Sequence, residues 1–195
     1  MNTNRRSFLQ TAAAAAAATS LPNWYLNELA QSAAAATVWD DQPAIALIGC
    51  GGMGKGDARN ASRFGRIVAL CDVDDSQLAE AKTLWPDAET CKDFRKVMDR
   101  TDIQVVICGT VDHWHTLVSL AALRSKKDVY CEKPLTLTIE EGQHLVSAVR
   151  DTGGILQTGS QQRSDKNFRL ACELVRNGRI GKLQHISVWL PRGRR

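Results

Sequence analysis

"AIALIGCGGMG", residues 44 to 54, changes character at its centre. The run from Ala44 to Gly49 is apolar without alternation and reads as a buried strand, and the glycines after it read as a turn into a helix near Met53 to Ser62. Gly49, Gly51 and Gly54 satisfy G-x-G-x-x-G. Alone the pattern is weak; between a strand and a helix it has a mechanical meaning. The first glycine allows the tight turn, the second lets a pyrophosphate approach the backbone, and the third permits close packing of helix on strand. Amides at the helix start, among them those of Gly52 and Met53, then face the anion. The plain alternative is a glycine turn that holds no ligand.

Working outward, "RIVALCD" (66 to 72) is the second strand, and Asp72 ends it at the position where a carboxylate accepts hydrogen bonds from an adenosine ribose. Asp74 and Asp75 beside it would repel a 2′-phosphate, so NAD is expected ahead of NADP. "DDSQLAEAKTLW" (74 to 85) reads as a helix with an acidic cap, with Leu78, Ala81 and Trp85 on one face and Pro86 as its stop. "VVICG" (105 to 109), "DVYC" (128 to 131) and "ILQTG" (155 to 159) read as further buried strands. In the helix between the last two, Thr138 and Glu141 form a capping box, and Gly153 supplies the end. Strands alternating with helices imply an α/β fold with a Rossmann-type, doubly wound parallel sheet.

Composition limits the other classes. The chain has 195 residues, 44% of them hydrophobic, and a net charge of +4, with several arginines at the two ends rather than in one patch with aromatics. Nucleic acid is therefore not expected as a partner. The first 36 residues are read as a targeting segment rather than fold. "MNTNRRSFLQ" leads into "TAAAAAAATS", and "SAAAA" at 32 to 36 offers the small residues that a signal peptidase needs. Arg5, Arg6, Phe8 and Leu9 resemble a twin-arginine export signal, which implies the twin-arginine export machinery as a partner and a periplasmic location. The apolar stretch is too short for a stable membrane span. Six cysteines are present without a C-x-x-C pair. They read as small buried hydrophobes, Cys172 on a helix core face among them, and no metal site is expected.

"DVYCEKPLT" (128 to 136) places Glu132, Lys133 and Pro134 directly after the fifth strand, beyond whose carboxyl end ligands sit in such sheets. With the glycine turn, this stretch resembles the glucose-fructose oxidoreductase, inositol dehydrogenase and rhizopine catabolism (Gfo/Idh/MocA) family, and the resemblance covers nearly everything from Ala44 to Leu190. It implies that Lys133 is the active-site cation, with Glu132 orienting it. "CGTVDHWH" (108 to 115) is similar to the family's Thr-Pro-Asn-x-x-His loop beside the nicotinamide, with Thr110 and His115 matching but Val111 and Asp112 departing. His115 is then either a proton-transfer residue or a packed, hydrogen-bonded one, and Trp114 lines either the cofactor site or the core. "QTGSQQR" (157 to 163) makes Gln161 and Arg163 cofactor or substrate contacts, or a surface turn.

The resemblance divides the chain into a signal segment (1 to 36), a dinucleotide-binding domain (37 to 160) and a linker helix with the first strand of a second α+β domain (161 to 195). That strand is expected at 182 to 191, with Ile186, Val188 and Leu190 on one side. The remainder of the family's second domain, with the residues that transfer the proton, would follow Arg195, so the chain reads as a fragment or as a natural truncation. The implied activity is hydride transfer between a sugar or polyol carbinol and NAD, in a homo-oligomer when full length. The alternatives are NAD-assisted glycoside cleavage and a non-catalytic dinucleotide-binding fragment.

Overall fold

The computed structural model of the protein describes residues 42–189. The signal segment and the last six residues, Leu190 among them, lie outside the described residues. β1 (Ala44–Ile48) is buried at all five positions, as expected of a strand covered on both faces. It is followed by α1 (Gly52–Ala61), β2 (Arg66–Cys71), α2 (Asp75–Leu84), β3 (Glu89–Cys91), α3 (Arg95–Met98) and β4 (Val105–Cys108). Then come α4 (His115–Arg124), β5 (Asp128–Glu132), α5 (Ile139–Thr152), β6 (Leu156–Gly159) and α6 (Lys166–Arg176). The strand order is β3-β2-β1-β4-β5-β6, and every pairing is parallel. Because β1 lies between β2 and β4, the winding reverses there, which opens a crevice at the carboxyl ends of β1 and β4.

Strand period sorts the core into two halves. Ile45 and Leu47 face one side with Ile107, packed by Ala58 of α1 and by Leu78 and Ala81 of α2. Ala46 and Ile48 face the other side with Val106, packed by Val118 and Ala122 of α4 and by Leu145 and Ala148 of α5. Burying a side chain such as Leu47, Leu70 or Ile107 stabilises the fold by about 1.5–3 kcal/mol. The helix ends follow their local chemistry. The Asp74 carboxylate accepts from the Ser76 amide at 2.7 Å, the Thr138–Glu141 capping box is formed, and Gly153 closes α5 at φ 69°.

Three backbones meet at the crevice. Gly49 has φ +89°, and a Cβ on Gly54 would lie 2.0 Å from the Gly49 carbonyl oxygen. A Cβ on Gly109, just past β4, would lie 2.6 Å from the Gly54 Cα. The third glycine of the motif thus seats α1 on the chain leaving β1, and Gly109 seats β4 against both.

The structure corrects four local readings. β5 continues through Glu132, which pairs with Gly159, so the charged residue belongs to the strand rather than ending it. Residues 181–189 form no strand, because no neighbouring strand among the described residues offers its backbone a ladder. Cys172 is exposed, since α6 buries none of its residues against the rest of the described chain. α3 and α4 carried no helix assignment from sequence; α4 is apolar over much of its surface, with Val118, Ala122 and Leu123 buried, and lacks the one-sided pattern that signals a surface helix.

The glycine contact makes a paired prediction. Gly54→Ala should cost about 3 kcal/mol or more, since the clash is with backbone that cannot swing away. Gly56→Ala, two residues along α1 and facing open space, should stabilise by about 0.5–1 kcal/mol. Urea unfolding midpoints of the two variants check both signs.

Candidate active site

A cleft of about 660 Å³ opens at the carboxyl ends of β1, β2 and β4, lined by Gly49, Asp72, Phe94, Thr110, Trp114 and Val118 among others. Gly51 is the N-cap of α1 and supplies no side-chain cap, so the first amides of the helix are left for another acceptor. A Cβ on Gly51 or Gly52 would meet nothing within 4 Å, and Met53 is half exposed. This open, uncapped helix start fits the diphosphate of a dinucleotide. The Asp72 carboxylate accepts from the Cys50 amide at 2.6 Å and from the Asp74 amide at 3.0 Å, so the same carboxylate shapes the glycine turn and the entry to α2. Lys92 and Arg95 also border the cleft, but each is paired, Lys92 with Asp75 at 2.7 Å and Arg95 with Asp93 at 2.8 Å. Trp114 meets Phe94 edge to face, with ring centres 5.9 Å apart, and forms one wall of the cleft rather than part of the core.

The Glu-Lys-Pro turn stands at the end of β5. Glu132 is buried, whereas Lys133 and Pro134 are exposed, and the peptide between the last two is cis. His115 opens α4 and is 1% exposed. Its Nδ1 lies 2.6 Å from the Pro134 carbonyl oxygen and its Nε2 lies 3.0 Å from that of Thr110. The imidazole therefore bridges the loop after β4 and the turn after β5 through their backbones. Gln161 follows β6 in a 3₁₀ turn and has its Oε1 buried without a partner among the described residues; Arg163 in the same turn is exposed.

Sequence reasoning missed three residues at this site. Gly109 carries the backbone contact described above. Gly159 leaves room for Glu132, since a Cβ there would lie 2.3 Å from Oε1. Asp57, on α1, has its carboxyl within hydrogen-bonding reach of Glu132, and its pKa is raised to about 6 by burial and by the charge of Glu132. A signal for it existed: an acid on a helix of small residues, next to the core residue Ala58.

Cys108, His115 and Cys131 place their ligand-type atoms within 4.8 Å of one another, all buried. Both imidazole nitrogens nevertheless face carbonyl oxygens, which leaves this set short of a free nitrogen donor. Burial, with the charge of Asp72, pushes the Cys50 thiol up to about 12, so this cysteine in the glycine turn is a packing residue rather than a nucleophile.

Comparison with known proteins agrees with this geometry. Residues 44–160 match the GFO_IDH_MocA family, described as an oxidoreductase family with an NAD-binding Rossmann fold, and residues 2–22 match the twin-arginine translocation signal. The chain is 30% identical to the myo-inositol 2-dehydrogenase of Thermotoga maritima, over 71% of this chain and 42% of that protein. It is 32% identical to the inositol 2-dehydrogenase of Burkholderia multivorans, over 70% and 42% respectively. The chain thus spans about two fifths of the length of these curated relatives. Among solved structures, the scyllo-inositol dehydrogenase of Lactobacillus casei with bound NAD(H) and scyllo-inositol superposes with a TM-score of 0.64 at 28% identity, over 72% of this chain and 42% of that one. The helix start without a side-chain cap, the carboxylate ending β2 and the Glu-Lys-Pro turn after β5 sit on a sheet shared with these dehydrogenases, and the chain belongs to the Gfo/Idh/MocA oxidoreductase family.

Proposed function

We propose that the protein is the cofactor-binding part of an NAD-dependent oxidoreductase that acts on the CH–OH group of a sugar or polyol. The observation that carries this reading is an exposed lysine, Lys133, directly after β5, on the same carboxyl edge of the sheet as a helix start open to a diphosphate. In this reading the backbones of Gly49, Gly51, Gly52, Met53 and Gly54 surround the diphosphate, and Asp72 accepts from the adenosine ribose. Thr110, His115, Glu132, Lys133 and Gln161 border the nicotinamide end. NAD, when bound, supplies the hydride acceptor. The Lys133 ammonium stabilises negative charge developing on the substrate oxygen, and Glu132 sets the direction of that lysine through the turn they share. His115, with both nitrogens on carbonyls, serves as the brace of the two loops rather than as the proton carrier. The inositol dehydrogenases among the relatives favour net oxidoreduction over glycoside cleavage.

The reading extends to the rest of the chain. The twin-arginine match supports a periplasmic location. The family match ends at residue 160, which supports a dinucleotide domain over 37–160 and the beginning of a second domain from 161. Assembly of the full-length protein as a homo-oligomer rests on the family resemblance alone.

NAD is preferred over NADP in this account, because Asp72, Asp74 and Asp75 gather negative charge at the ribose end and the nearby cations are already paired. NAD should bind at least about tenfold more tightly than NADP, a difference of ~1.4 kcal/mol. Asp72→Ser should narrow that gap. Titration of the unmodified chain with both cofactors checks the order, and tighter NADP binding would overturn it.

The role of Lys133 is tested in a version that carries a second domain. Lys133→Met should leave NAD affinity within a few-fold while lowering single-turnover hydride transfer by on the order of 10². Unchanged hydride transfer in the folded, NAD-loaded variant would reduce the Glu-Lys-Pro turn to a sheet-edge feature.

A further inference from the structure

Two acids meet beneath the Glu-Lys-Pro turn without a cation between them. Tyr130 packs with Ile107 and Ala58 on the α1 side of the sheet, and Glu132, two residues further along β5, shares that side, whereas Val129 and Cys131 pack on the other. Asp57 immediately precedes Ala58 on α1, and its carboxyl reaches Glu132. Glu132 is 4% exposed. Among the described residues its Oε2 accepts only the Lys133 amide, at 3.3 Å, while its Oε1 and the Oδ2 of Asp57 are buried with no partner. Gly159 closes over Oε1 from β6 without offering a side chain. Lys55, on the preceding turn of α1, is engaged with Gln77 and Glu80, and the Lys133 side chain is exposed.

Two carboxylates in contact at a half-dry site do not both ionise, and an unpaired buried oxygen is costly. A single proton resolves both problems, because a carboxyl O–H donates where a carboxylate only accepts. We propose that Asp57 is a positioning residue that shares one proton with Glu132, so that a carboxyl–carboxylate hydrogen bond from α1 fixes the Glu132–Lys133 turn from below. Burial and the charge of Glu132 hold Asp57 up at about 6, against 3.8 when free. The other titratable groups facing the pair are Tyr130, whose phenol is raised by burial and by both acids, and Cys131 on the far side of β5, which feels the charge of Glu132. Neither offers the pair a positive charge. The proposal deepens the assignment of Glu132 and Lys133 to the active site and rests on it for its functional meaning, but the shared proton exists or not whatever Lys133 does.

The sign of the linkage fixes the test. The folded state keeps a proton that the unfolded chain releases at 3.8, so the contribution of Asp57 to stability is fully present below that value and is lost as pH rises through about 6. The experiment follows unfolding of the 195-residue chain by denaturant from pH 4.5 to 8, for the unmodified protein, Asp57→Asn and Asp57→Leu. Relative to Asp57→Asn, the unmodified chain should lose several-fold, and at most about tenfold, in its folded-to-unfolded ratio between pH 5 and 7.5, once the screening of a half-buried group is discounted. Asp57→Asn keeps an N–H donor for Glu132 and should show no such loss, whereas Asp57→Leu leaves Glu132 unpaired and should be the less stable variant at pH 7.5. A difference between the unmodified chain and Asp57→Asn that does not change with pH would overturn the proposal, as would equal stability of the two variants. If a variant fails to fold, the ¹³C carboxyl resonance of Asp57 in the unmodified protein decides: titration near 6 supports the shared proton, and titration near 4 overturns it. A failed Lys133→Met experiment would leave these titrations unmoved, so the two failures are distinguishable.

Discussion

The close approach of Gly49, Gly54 and Gly109 governs the geometry of everything around the crevice. Any side chain at these positions would press into another backbone, with Cβ distances of 2.0–2.6 Å at the nearest atoms. The contact sets α1 hard against the ends of β1 and β4, at the place where the sheet reverses its winding. From that seat the start of α1 points into the crevice without a side-chain cap, and Asp72, hydrogen-bonded to the Cys50 amide, fixes the curvature of the turn. The same placement of α1 brings Asp57 over the end of β5. One packing constraint thus positions both the uncapped start of α1 and the charged turn after β5.

At the charged end, the turn after β5 is held from two sides by different means. His115 grips it from the α4 side through the Pro134 carbonyl, and ties it to Thr110 in the neighbouring loop. Glu132 anchors it on the α1 side, in the narrow space over Gly159. The exposed Lys133 side chain is therefore carried on a backbone whose neighbours on either side are fixed. A cation that stabilises a transition state gains from such preorganisation, because its support is already in place before charge develops.

The sheet and the glycine turn after β1 were legible in the sequence because their signals are local. Continuous apolar runs at 44–48, 67–71 and 105–108 mark strands buried on both faces, and the glycine spacing after the first run has a mechanical reason. The capping box at Thr138 and Glu141 was equally readable. What escaped depends on contacts between distant positions. Gly109 reads as an ordinary strand-end glycine until its distance to Gly54 is known, and Asp57 reads as a surface acid until β5 delivers Glu132 beneath it. Residues 182–189 of the strand expected at 182–191 form no ladder for a related reason: alternation at Ile186 and Val188 records a preference, and a strand also needs a neighbour to pair with. His115 was expected at the site from its loop, but whether its ring serves chemistry or architecture turns on two carbonyl oxygens supplied by separate loops.

The central claim is that one crevice joins the start of α1, the end of β2 and the turn after β5 into a single dinucleotide site. A crystal structure of the protein with NAD tests it most directly. The account predicts the diphosphate against the amides that open α1, the adenosine ribose on the Asp72 carboxylate, and the nicotinamide ring beside Glu132 and Lys133. NAD bound with its ring away from the turn after β5, or with its diphosphate away from the glycine turn, would contradict it.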